Sequence, residues 1–306
     1  MGTYLIVGAG AIGTIVAEQL AEQGHAVRLL SRRGTGPEHS LIERVAGDAS
    51  ELATVARHAQ GTEAIFNCAN PPYHRWPTDW PPIANAILAG AETSGSNLVT
   101  LNNLYAYGRP AGPMTPHDPL SADYEKAQVR ATMWHDAKRA HDEGRVKATE
   151  VRASDFIGPR SQNYLGLLIP RILAGKSCQV IGDADAPHSW NFTEDVARTL
   201  VTCAQDDRSW GRAWHAPANP PRSVRQAIDD IARLTGTTNV KITKVPTPAL
   251  RVLGLFNTDV RELPKTLYQF QAPFVIDDSE TRSTFGLEPT PWDDVLTSTI
   301  AYYSKD

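Results

Sequence analysis

Short apolar runs and amphipathic stretches alternate along the first half of the chain. The apolar run Thr3–Val7 ends at glycines and predicts a buried strand. From Ile12 to Leu20 an apolar residue recurs every four positions, which predicts a helix that ends at Gly24. A second apolar run, 26–30, follows directly. The order strand, glycine turn, helix, strand predicts a βαβ unit.

The same alternation continues along the chain. Further strands are predicted at 63–68, 97–101 and 147–151, with helices at 82–91 and 122–143 between them. Strands that alternate with helices favour a parallel sheet covered by helices on both faces. We therefore predict an α/β fold with a doubly wound sheet of the Rossmann type.

The pattern becomes looser past Gly158. Helices are predicted at 164–174 and 194–204 and a strand at 178–181, and prolines then become frequent. We expect a Rossmann domain over residues 1–160. Residues 161–306 are expected to form mainly a smaller α/β region on the substrate side, with some segments returning to the Rossmann sheet.

Glycines occupy three fixed positions between the first strand and the first helix, where the chain reads Gly-Ala-Gly-Ala-Ile-Gly. In such a turn Gly8 permits the tight bend, Gly10 lets the backbone approach a pyrophosphate, and Gly13 lets the helix pack on the strand. The N–H groups at the helix start, on Ala11 and Ile12, then face phosphate oxygens. In this βαβ context the motif predicts a dinucleotide-binding site.

The second strand ends in a hydroxyl and two cations. Ser31, Arg32 and Arg33 stand where an NAD site usually carries an acid for the ribose 2′-hydroxyl. A guanidinium suits a 2′-phosphate, because its planar fork donates two charge-assisted hydrogen bonds. We predict NADP(H) as the cofactor in preference to NAD(H), with one arginine a solvated loop charge. Asp48 either accepts from the adenine amino group or is an exposed turn residue, and the spacing leaves both open.

The charge, the cysteines and the length of the apolar runs argue against several classes of partner. The 306 residues carry a net charge of -4 with both signs spread along the chain, which argues against a nucleic-acid partner. The three cysteines lie far apart, so neither a metal site nor a disulfide framework is predicted. No apolar run approaches the ~18 residues that span a bilayer, and no cleavable leader is recognised. We expect a cytoplasmic protein without a membrane partner, as a monomer or a homodimer.

Beside the glycine motif, six further segments follow one another in a recognisable order: 47–48, 67–70, 101–108, 152–159, 190–197 and 277–287. Taken in order, they resemble the short-chain dehydrogenase/reductase superfamily, in its atypical or extended branch of NAD-dependent epimerase/dehydratase-like proteins. The resemblance implies that Asp48 contacts the adenine and that Ala69, Asn70 and Ser154 lie beside the cofactor.

The chain departs from that family where catalysis is expected. Members carry a serine or threonine and a Tyr-x-x-x-Lys, in which the tyrosine exchanges the substrate proton. By register Asn103 stands at the serine position, Lys126 at the tyrosine position and Arg130 at the lysine position. Tyr124 comes two residues too early, which on a helix is roughly the opposite face. The usual catalytic tyrosine is therefore predicted to be absent.

Other residues have to supply the chemistry if the chain is an enzyme. Asn103 can hydrogen-bond a carbonyl, and Arg130 can bind the nicotinamide ribose but not transfer a proton. Tyr105 is the candidate proton donor, with a pKa lowered by Lys126 or Arg130. The alternatives are that Tyr105 is packed in its loop and that Lys126 is a solvated helix charge.

An aromatic and proline-rich stretch, 70–80, follows the predicted fourth strand, and such a loop lies where ligands bind. Tyr73, His74 and Trp76 are candidate substrate residues, and His188 and Trp190 could close the cleft from the second half. In family members that bind sugar nucleotides, an arginine near the position of His188 holds the diphosphate. The histidine therefore disfavours a nucleotide sugar, and the aromatic lining favours a small, partly apolar carbonyl-like compound.

Three functions are compatible with these observations. The first is an NADP(H)-dependent oxidoreductase that lacks the usual Tyr-x-x-x-Lys. The second is a non-catalytic redox sensor that binds NADP(H), which the missing motif favours. The third is an epimerase or dehydratase that retains its cofactor. One scaffold hosts all three, so the fold alone does not separate them.

Overall fold

The structure, a computed structural model, describes residues 1–161, 164–246, 248 and 258–304. Strands and helices alternate through most of this length. The strands are β1 (Thr3–Val7), β2 (Ala26–Ser31), β3 (Ile42–Ala46), β4 (Ala64–Asn67), β5 (Asn97–Asn103), β6 (Ala148–Ala153), β7 (Asp155–Ile157), β8 (Cys178–Val180), β9 (Trp190–Phe192), β10 (Ala213–His215) and β11 (Ile242–Lys244). The α-helices are α1 (Ala11–Glu22), α2 (Leu52–Ala59), α3 (Trp76–Ser94), α4 (Glu125–Asp142), α5 (Tyr164–Leu173), α6 (Thr193–Gln205), α7 (Val224–Thr235), α8 (Thr258–Thr266), α9 (Ser279–Phe285) and α10 (Trp292–Tyr303).

A seven-stranded parallel sheet forms the centre, in the order β10-β6-β5-β4-β1-β2-β3. Helices cover both of its faces. On one face Val16 of α1 belongs to the same buried cluster as Leu200 of α6. On the other face Val55 of α2, Ile87 of α3 and Ala140 of α4 share a cluster. The predicted α/β fold with a doubly wound Rossmann sheet is confirmed.

The chain reverses its direction across the sheet between β1 and β4. From β1 it proceeds outward to β2 and β3, and it then crosses back to β4 on the other side of β1. In open α/β sheets, ligands bind in the crevice beyond the carboxyl ends of the strands at such a switch point. The topology therefore places a binding crevice directly after β1 and β4.

The second half of the chain builds a separate core and also extends the sheet. Strand β10 pairs with β6, where Trp214 is the partner of Val151. A second buried cluster joins Ile169 of α5, Ile228 of α7 and Leu296 of α10. Two small parallel pairs, β8 with β11 and β7 with β9, complete this half.

Helix α3 begins earlier than the proline-rich pattern predicts. The predicted start was residue 82, but the helix begins at Trp76 and contains three prolines. Pro77 lies in the first turn, where a backbone N–H has no helical partner and a proline costs little. Residues 76–80 therefore form the start of a helix rather than an open loop, and this changes the candidate substrate side.

Candidate functional site

The turn between β1 and α1 is shaped by its three glycines. Gly8 has a φ of +110°, and a Cβ there would lie 2.5 Å from the carbonyl oxygen of Cys68. A Cβ on Gly13 would overlap the carbonyl oxygen of Gly8. A Cβ on Gly10, in contrast, would meet nothing within 4 Å. Packing thus requires the first and third glycines, whereas the second faces open space, as a turn that admits a phosphate group requires.

The start of α1 presents hydrogen-bond donors to that open space. Gly10 is the N-cap, and no side chain accepts from the first N–H groups of the helix. The first turn, which includes Ala11, Ile12 and Gly13, carries no acidic residue. Uncapped N–H groups and the positive end of the helix dipole favour an anion. This end of the site therefore fits a pyrophosphate.

A cleft of about 530 Å³ extends from this turn along the carboxyl ends of β1 to β4. It lies at the switch point of the sheet. The predicted cofactor residues that line it are Gly8, Gly10, Ser31, Arg32, Arg33, Asp48, Ala69 and Asn70. The structure thus brings residues from four separate strand ends into one space of the size of a small-molecule site.

The far end of the cleft carries two exposed cations and no acid on β2. Arg32 and Arg33 are exposed. Ser31 holds the turn that follows, because its Oγ accepts from the backbone N–H of Thr35 at 2.9 Å. The guanidinium groups are therefore available to an anion in the cleft.

Asp48 is held by its own turn. Its Oδ1 accepts from the backbone N–H of Ser50 at 2.9 Å and from the Ser50 hydroxyl at 2.8 Å. These hydrogen bonds, with a contribution from the charge of Arg32, hold the pKa of Asp48 below its ordinary value. The carboxylate is thus ionised and fixed at the wall of the cleft, as an acceptor for an amino group must be.

Of the predicted cofactor residues, Ala11, Ile12, Gly13 and Ser154 are outside the lining of this cleft, and the first three begin α1. Ser154 directly follows β6. It is buried, and its backbone N–H donates to Oδ1 of Asn191 at 2.7 Å. Its hydroxyl oxygen has no hydrogen-bond partner among the described residues. A buried hydroxyl without a partner is uncommon in folded proteins, because its desolvation goes uncompensated.

Lys126 is buried rather than solvated. Its side chain is 3% exposed, and its Nζ donates to Oε2 of Glu262 at 2.7 Å. The ammonium also lies 3.7 Å from the ring centroid of Tyr73. Burial would raise the pKa of Glu262, but the hydrogen bonds from Lys126 and Lys265 outweigh this effect and lower it. The alternative of a solvated helix charge is wrong for Lys126.

Arg130 is buried beneath two indole rings. Its guanidinium carbon lies 4.4 Å from the ring centroids of both Trp76 and Trp80. Its Nε and Nη1 have no hydrogen-bond partner among the described residues. Burial lowers the pKa of Arg130 to about 10, against the opposing influence of Glu150, so the group remains charged at neutral pH. Arg130 is therefore a buried cation with two unpartnered nitrogens, and Trp76 and Trp80 in the first turns of α3 cover it.

Tyr105 is not the acidic phenol that the sequence led us to expect. Burial raises its pKa well above the ordinary value, and Tyr73 and Asp155 add to the effect. Neither Lys126 nor Arg130 reverses this. The predicted lowering of the pKa is therefore wrong, because desolvation outweighs the nearby cations. Asn103, also predicted, accepts from the backbone N–H of Tyr105 at 3.2 Å through its Oδ1.

The candidate substrate residues of the 70–80 stretch have three different environments. Tyr73 is half-buried, and its hydroxyl donates to that of Tyr105 at 3.4 Å. His74 is exposed. Trp76 is buried against Arg130 and Trp80 and is absent from the lining of the cleft. Trp76 therefore covers the guanidinium of Arg130 and does not line the cleft.

His188 and Trp190 do not close the cleft. Both are buried, at 1% and 2% exposure. The indole N–H of Trp190 donates to the carbonyl of Arg222 at 2.9 Å, and the ring belongs to the second core. His188 Nε2 lies 2.8 Å from Oδ2 of Asp155. The expectation of a closing pair is wrong, because β9 carries this segment inward to pair with β7.

Sequence reasoning missed the residues that complete these contacts. They are Trp80 over Arg130, Glu262 beside Lys126 and Asp155 beside His188. For Asp155 there was a signal, since it directly follows Ser154 in a segment that had been singled out. Glu262 lies 136 residues from Lys126, and nothing local pointed to it.

The comparison with protein families gives one match. Residues 4–214 match the model of the NAD dependent epimerase/dehydratase family. A search of curated proteins found no match. Among the described residues, no helix has the combined length and apolar character of a membrane span.

Solved structures share the fold over essentially the whole chain. The Bordetella bronchiseptica enzyme WbmH, in complex with NAD+, is 19% identical with a TM-score of 0.78, over 100% of this chain and 99% of that chain. UDP-glucose 4-epimerase of Thermotoga maritima, with UDP-glucose, is 16% identical with a TM-score of 0.80, over 99% of both chains. The dTDP-glucose 4,6-dehydratase DesIV of Streptomyces venezuelae, with NAD and TYD bound, is 17% identical with a TM-score of 0.81, over 99% of this chain and 97% of that chain.

Proposed function

Because the chain belongs to the NAD-dependent epimerase/dehydratase family of enzymes, we propose that it is an oxidoreductase that uses NADP(H). We further propose that it acts on a small, partly apolar carbonyl-like compound without the usual Tyr-x-x-x-Lys. One observation carries the cofactor preference. The cleft has a phosphate-accepting glycine turn at one end and the exposed Arg32 and Arg33, without an acid on β2, at the other.

The distribution of charge along the cleft supports this preference. A 2′-phosphate needs cations within reach of the adenosine ribose, and Arg32 and Arg33 supply them from the end of β2. The fixed carboxylate of Asp48 suits the adenine amino group. An NAD site of this fold would instead carry its acid at the end of β2, to accept from the 2′-hydroxyl.

The bound nicotinamide would supply hydride transfer, and the surrounding side chains would hold and orient the substrate. Arg130 is the candidate for the nicotinamide ribose, because its Nε and Nη1 lack partners. To reach them, the dinucleotide has to displace Trp76 and Trp80 from the guanidinium. Asn103 and Tyr105 are the candidates for hydrogen bonds to a substrate carbonyl. The aromatic rings that pack around Tyr105 would exclude water there.

The alternative within the family is an epimerase or dehydratase that keeps its cofactor through the reaction cycle. The complexes of WbmH and DesIV with NAD favour it as a class. Release of the nucleotide distinguishes the two functions. An oxidoreductase must exchange its cofactor in every turnover, whereas an epimerase regenerates it in place. The protein is loaded with NADPH and passed through a gel-filtration column. Absorbance at 340 nm then shows how much NADPH stays bound to the protein.

Calorimetric titration of NADPH, NADP, NADH and NAD tests the cofactor assignment directly. We expect tighter binding of the phosphorylated pair, and a loss of about tenfold or more in NADPH affinity in Arg32→Ala or Arg33→Ala, with NADH affinity retained. Arg145→Ala is the control. Arg145 is an exposed arginine that precedes β6, at the amino ends of the strands, whereas the cleft lies at their carboxyl ends. An unchanged NADPH to NADH ratio in both variants would refute the preference.

Turnover is then measured with aldehydes, ketones and imines in the presence of NADPH. Consumption of NADPH with any member of the panel supports the oxidoreductase. Tight binding of NADPH without turnover would instead favour a redox sensor.

A further inference from the structure

Tyr105 and Asp155 follow the carboxyl ends of two neighbouring strands of the central sheet. Strands β5 and β6 run parallel, with Asn103 opposite Ala153 at their carboxyl ends. Tyr105 stands two residues beyond Asn103, and Asp155 stands two residues beyond Ala153. Both therefore emerge at the edge of the sheet where ligands bind in this class of fold.

A buried histidine holds the carboxylate of Asp155. His188 Nε2 lies 2.8 Å from Oδ2 of Asp155, and His188 Nδ1 lies 3.3 Å from the carbonyl oxygen of Gln269. The imidazole is stacked on Phe270 at 4.8 Å between centroids and lies 4.5 Å from the ring of Trp190. The ring is thus packed against two aromatic side chains and contacted at both nitrogens, and it orients the carboxylate without reaching a ligand itself.

The carboxylate is the accessible part of this pair. The side chain of Asp155 is 30% exposed and that of His188 is 2% exposed. Oδ2 accepts from His188, and among the described residues Oδ1 has no hydrogen-bond partner. An ionised carboxylate can accept several hydrogen bonds. Oδ1 is therefore open to a donor that enters from the sheet edge.

Phenols face the same carboxylate but retain their protons. Burial raises the pKa of both Tyr73 and Tyr105, and the charge of Asp155 adds to the effect in each. It also adds to the raised pKa of Tyr164. Among the described residues, the titratable groups near Asp155 are thus these three phenols and His188. A phenol with a raised pKa can donate a hydrogen bond to a carbonyl oxygen, but it is poorly matched to proton transfer near neutral pH.

We propose that Asp155 exchanges the substrate proton, in place of the missing tyrosine, and that His188 is its positioning residue. The proposal rests on the oxidoreductase function proposed above. When an alcohol is oxidised, the hydroxyl proton would pass to Oδ1 of Asp155, and a bound oxidised nicotinamide dinucleotide would accept the carbon-bound hydride. A C=O bond then replaces the O–H and C–H bonds, and reduction runs the same transfers in reverse. A carboxylate here also disfavours a phosphate group beside the reacting carbon, by charge repulsion.

The variant Asp155→Asn keeps the shape of the side chain and removes the proton acceptor. Asp230→Asn is its matched control, because Asp230 is also partly buried, with its side chain 20% exposed, and accepts from the ring N–H of Trp292 at 2.9 Å. In NADP-linked oxidation of a panel of secondary alcohols we expect Asp155→Asn to lower kcat about 100-fold or more. Calorimetry should show unchanged NADP affinity, and Asp230→Asn should retain kcat. An Asp155→Asn enzyme with a kcat close to that of the wild type would overturn the proposal.

A second readout needs no turnover. In the ¹³C NMR spectrum of the protein labelled at its aspartate carboxyl carbons, the resonance missing from Asp155→Asn identifies Asp155. The variant His188→Phe keeps the aromatic ring and removes the N–H donor. We expect the Asp155 resonance to move in His188→Phe, because the carboxylate loses the hydrogen bond that orients it. kcat should fall in the same variant, while NADP affinity is retained.

The possible failures are distinguishable. An Asp155 resonance that is the same in His188→Phe and in the wild type would overturn the positioning role. A wild-type protein that binds no dinucleotide would refute the proposed function together with this step. Turnover that is equal in the wild type and Asp155→Asn would refute this step alone.

Discussion

The guanidinium carbon of Arg130 lies 4.4 Å from the ring centroid of Trp76. Arg130 is the cation that we propose for the nicotinamide ribose, and Trp76 begins α3. The contact therefore joins a candidate cofactor-binding cation to a helix start that covers it. A buried cation in contact with aromatic faces gains some electrostatic stabilisation, but its unpartnered N–H groups still cost desolvation free energy.

Replacement of Arg130 by Met should leave the free protein as stable as the wild type or more stable, by up to about 2 kcal/mol, because it removes a buried, poorly satisfied charge at similar volume. We expect saturating NADPH to raise the unfolding temperature less in the variant than in the wild type, since a ligand contact is lost. Urea and thermal denaturation measure both effects. A loss of stability in the free variant together with an unchanged NADPH effect would show that the role of Arg130 is structural.

The glycine turn allows a matched comparison of two alanine variants. Gly10 has a φ of -80° and open space at its Cβ position, whereas a Cβ on Gly13 would overlap the carbonyl oxygen of Gly8. We expect Gly10→Ala to fold with stability within about 1 kcal/mol of the wild type, yet to bind NADPH at least about tenfold more weakly, because its methyl group enters the phosphate space. Gly13→Ala should lose stability through steric overlap. Equal NADPH affinity in Gly10→Ala and the wild type would contradict a phosphate site here.

The buried pair of Lys126 and Glu262 predicts unequal effects of two substitutions. Glu262→Gln removes the carboxylate that accepts from Lys126 at 2.7 Å. We expect the free energy of unfolding to fall by about 3 kcal/mol, because the buried ammonium loses this ion pair. Lys265 also approaches Glu262, at 3.2 Å, but its side chain is 48% exposed. Lys265→Met should therefore change stability by no more than about 0.5 kcal/mol. Similar losses in the two variants would argue against burial as the cause.

His215 predicts a loss of stability in acid. Burial lowers the pKa of His215 from 6.5 to about 3, and its ring nitrogens contact the Tyr107 hydroxyl and the Asp277 carbonyl. The unfolded chain takes up a proton at His215 below a pH of 6.5, whereas the folded chain does so only near 3. Between these values this residue alone should lower the free energy of unfolding by about 1.4 kcal/mol per pH unit as the pH falls.

The control for this pH effect is the exposed His135. Stability is measured by urea denaturation between pH 6.5 and pH 4. His215→Gln should have a shallower pH dependence than the wild type, and His135→Gln should have the same slope. A wild-type slope in His215→Gln would show that other groups cause the acid sensitivity.

The sequence by itself determined the parts of this protein whose causes are local. A strand, a glycine turn and a helix within one short segment specify the βαβ unit, because backbone geometry and phosphate approach depend on neighbouring residues. Gly8, Gly10, Arg32 and Asp48, all singled out from the sequence, line one cleft. The regular alternation of strands and helices was also sufficient for the fold class.

Only the tertiary structure decided what surrounds the candidate catalytic residues. Glu262 meets Lys126, Trp80 covers Arg130 and Asp155 meets His188 across separations of 136, 50 and 33 residues. The raised pKa of Tyr105 follows from the same packing, since burial, and not the nearest cation, sets the direction of the shift. Burial and long-range pairing depend on how whole elements pack together, so no local pattern of residues could have revealed them.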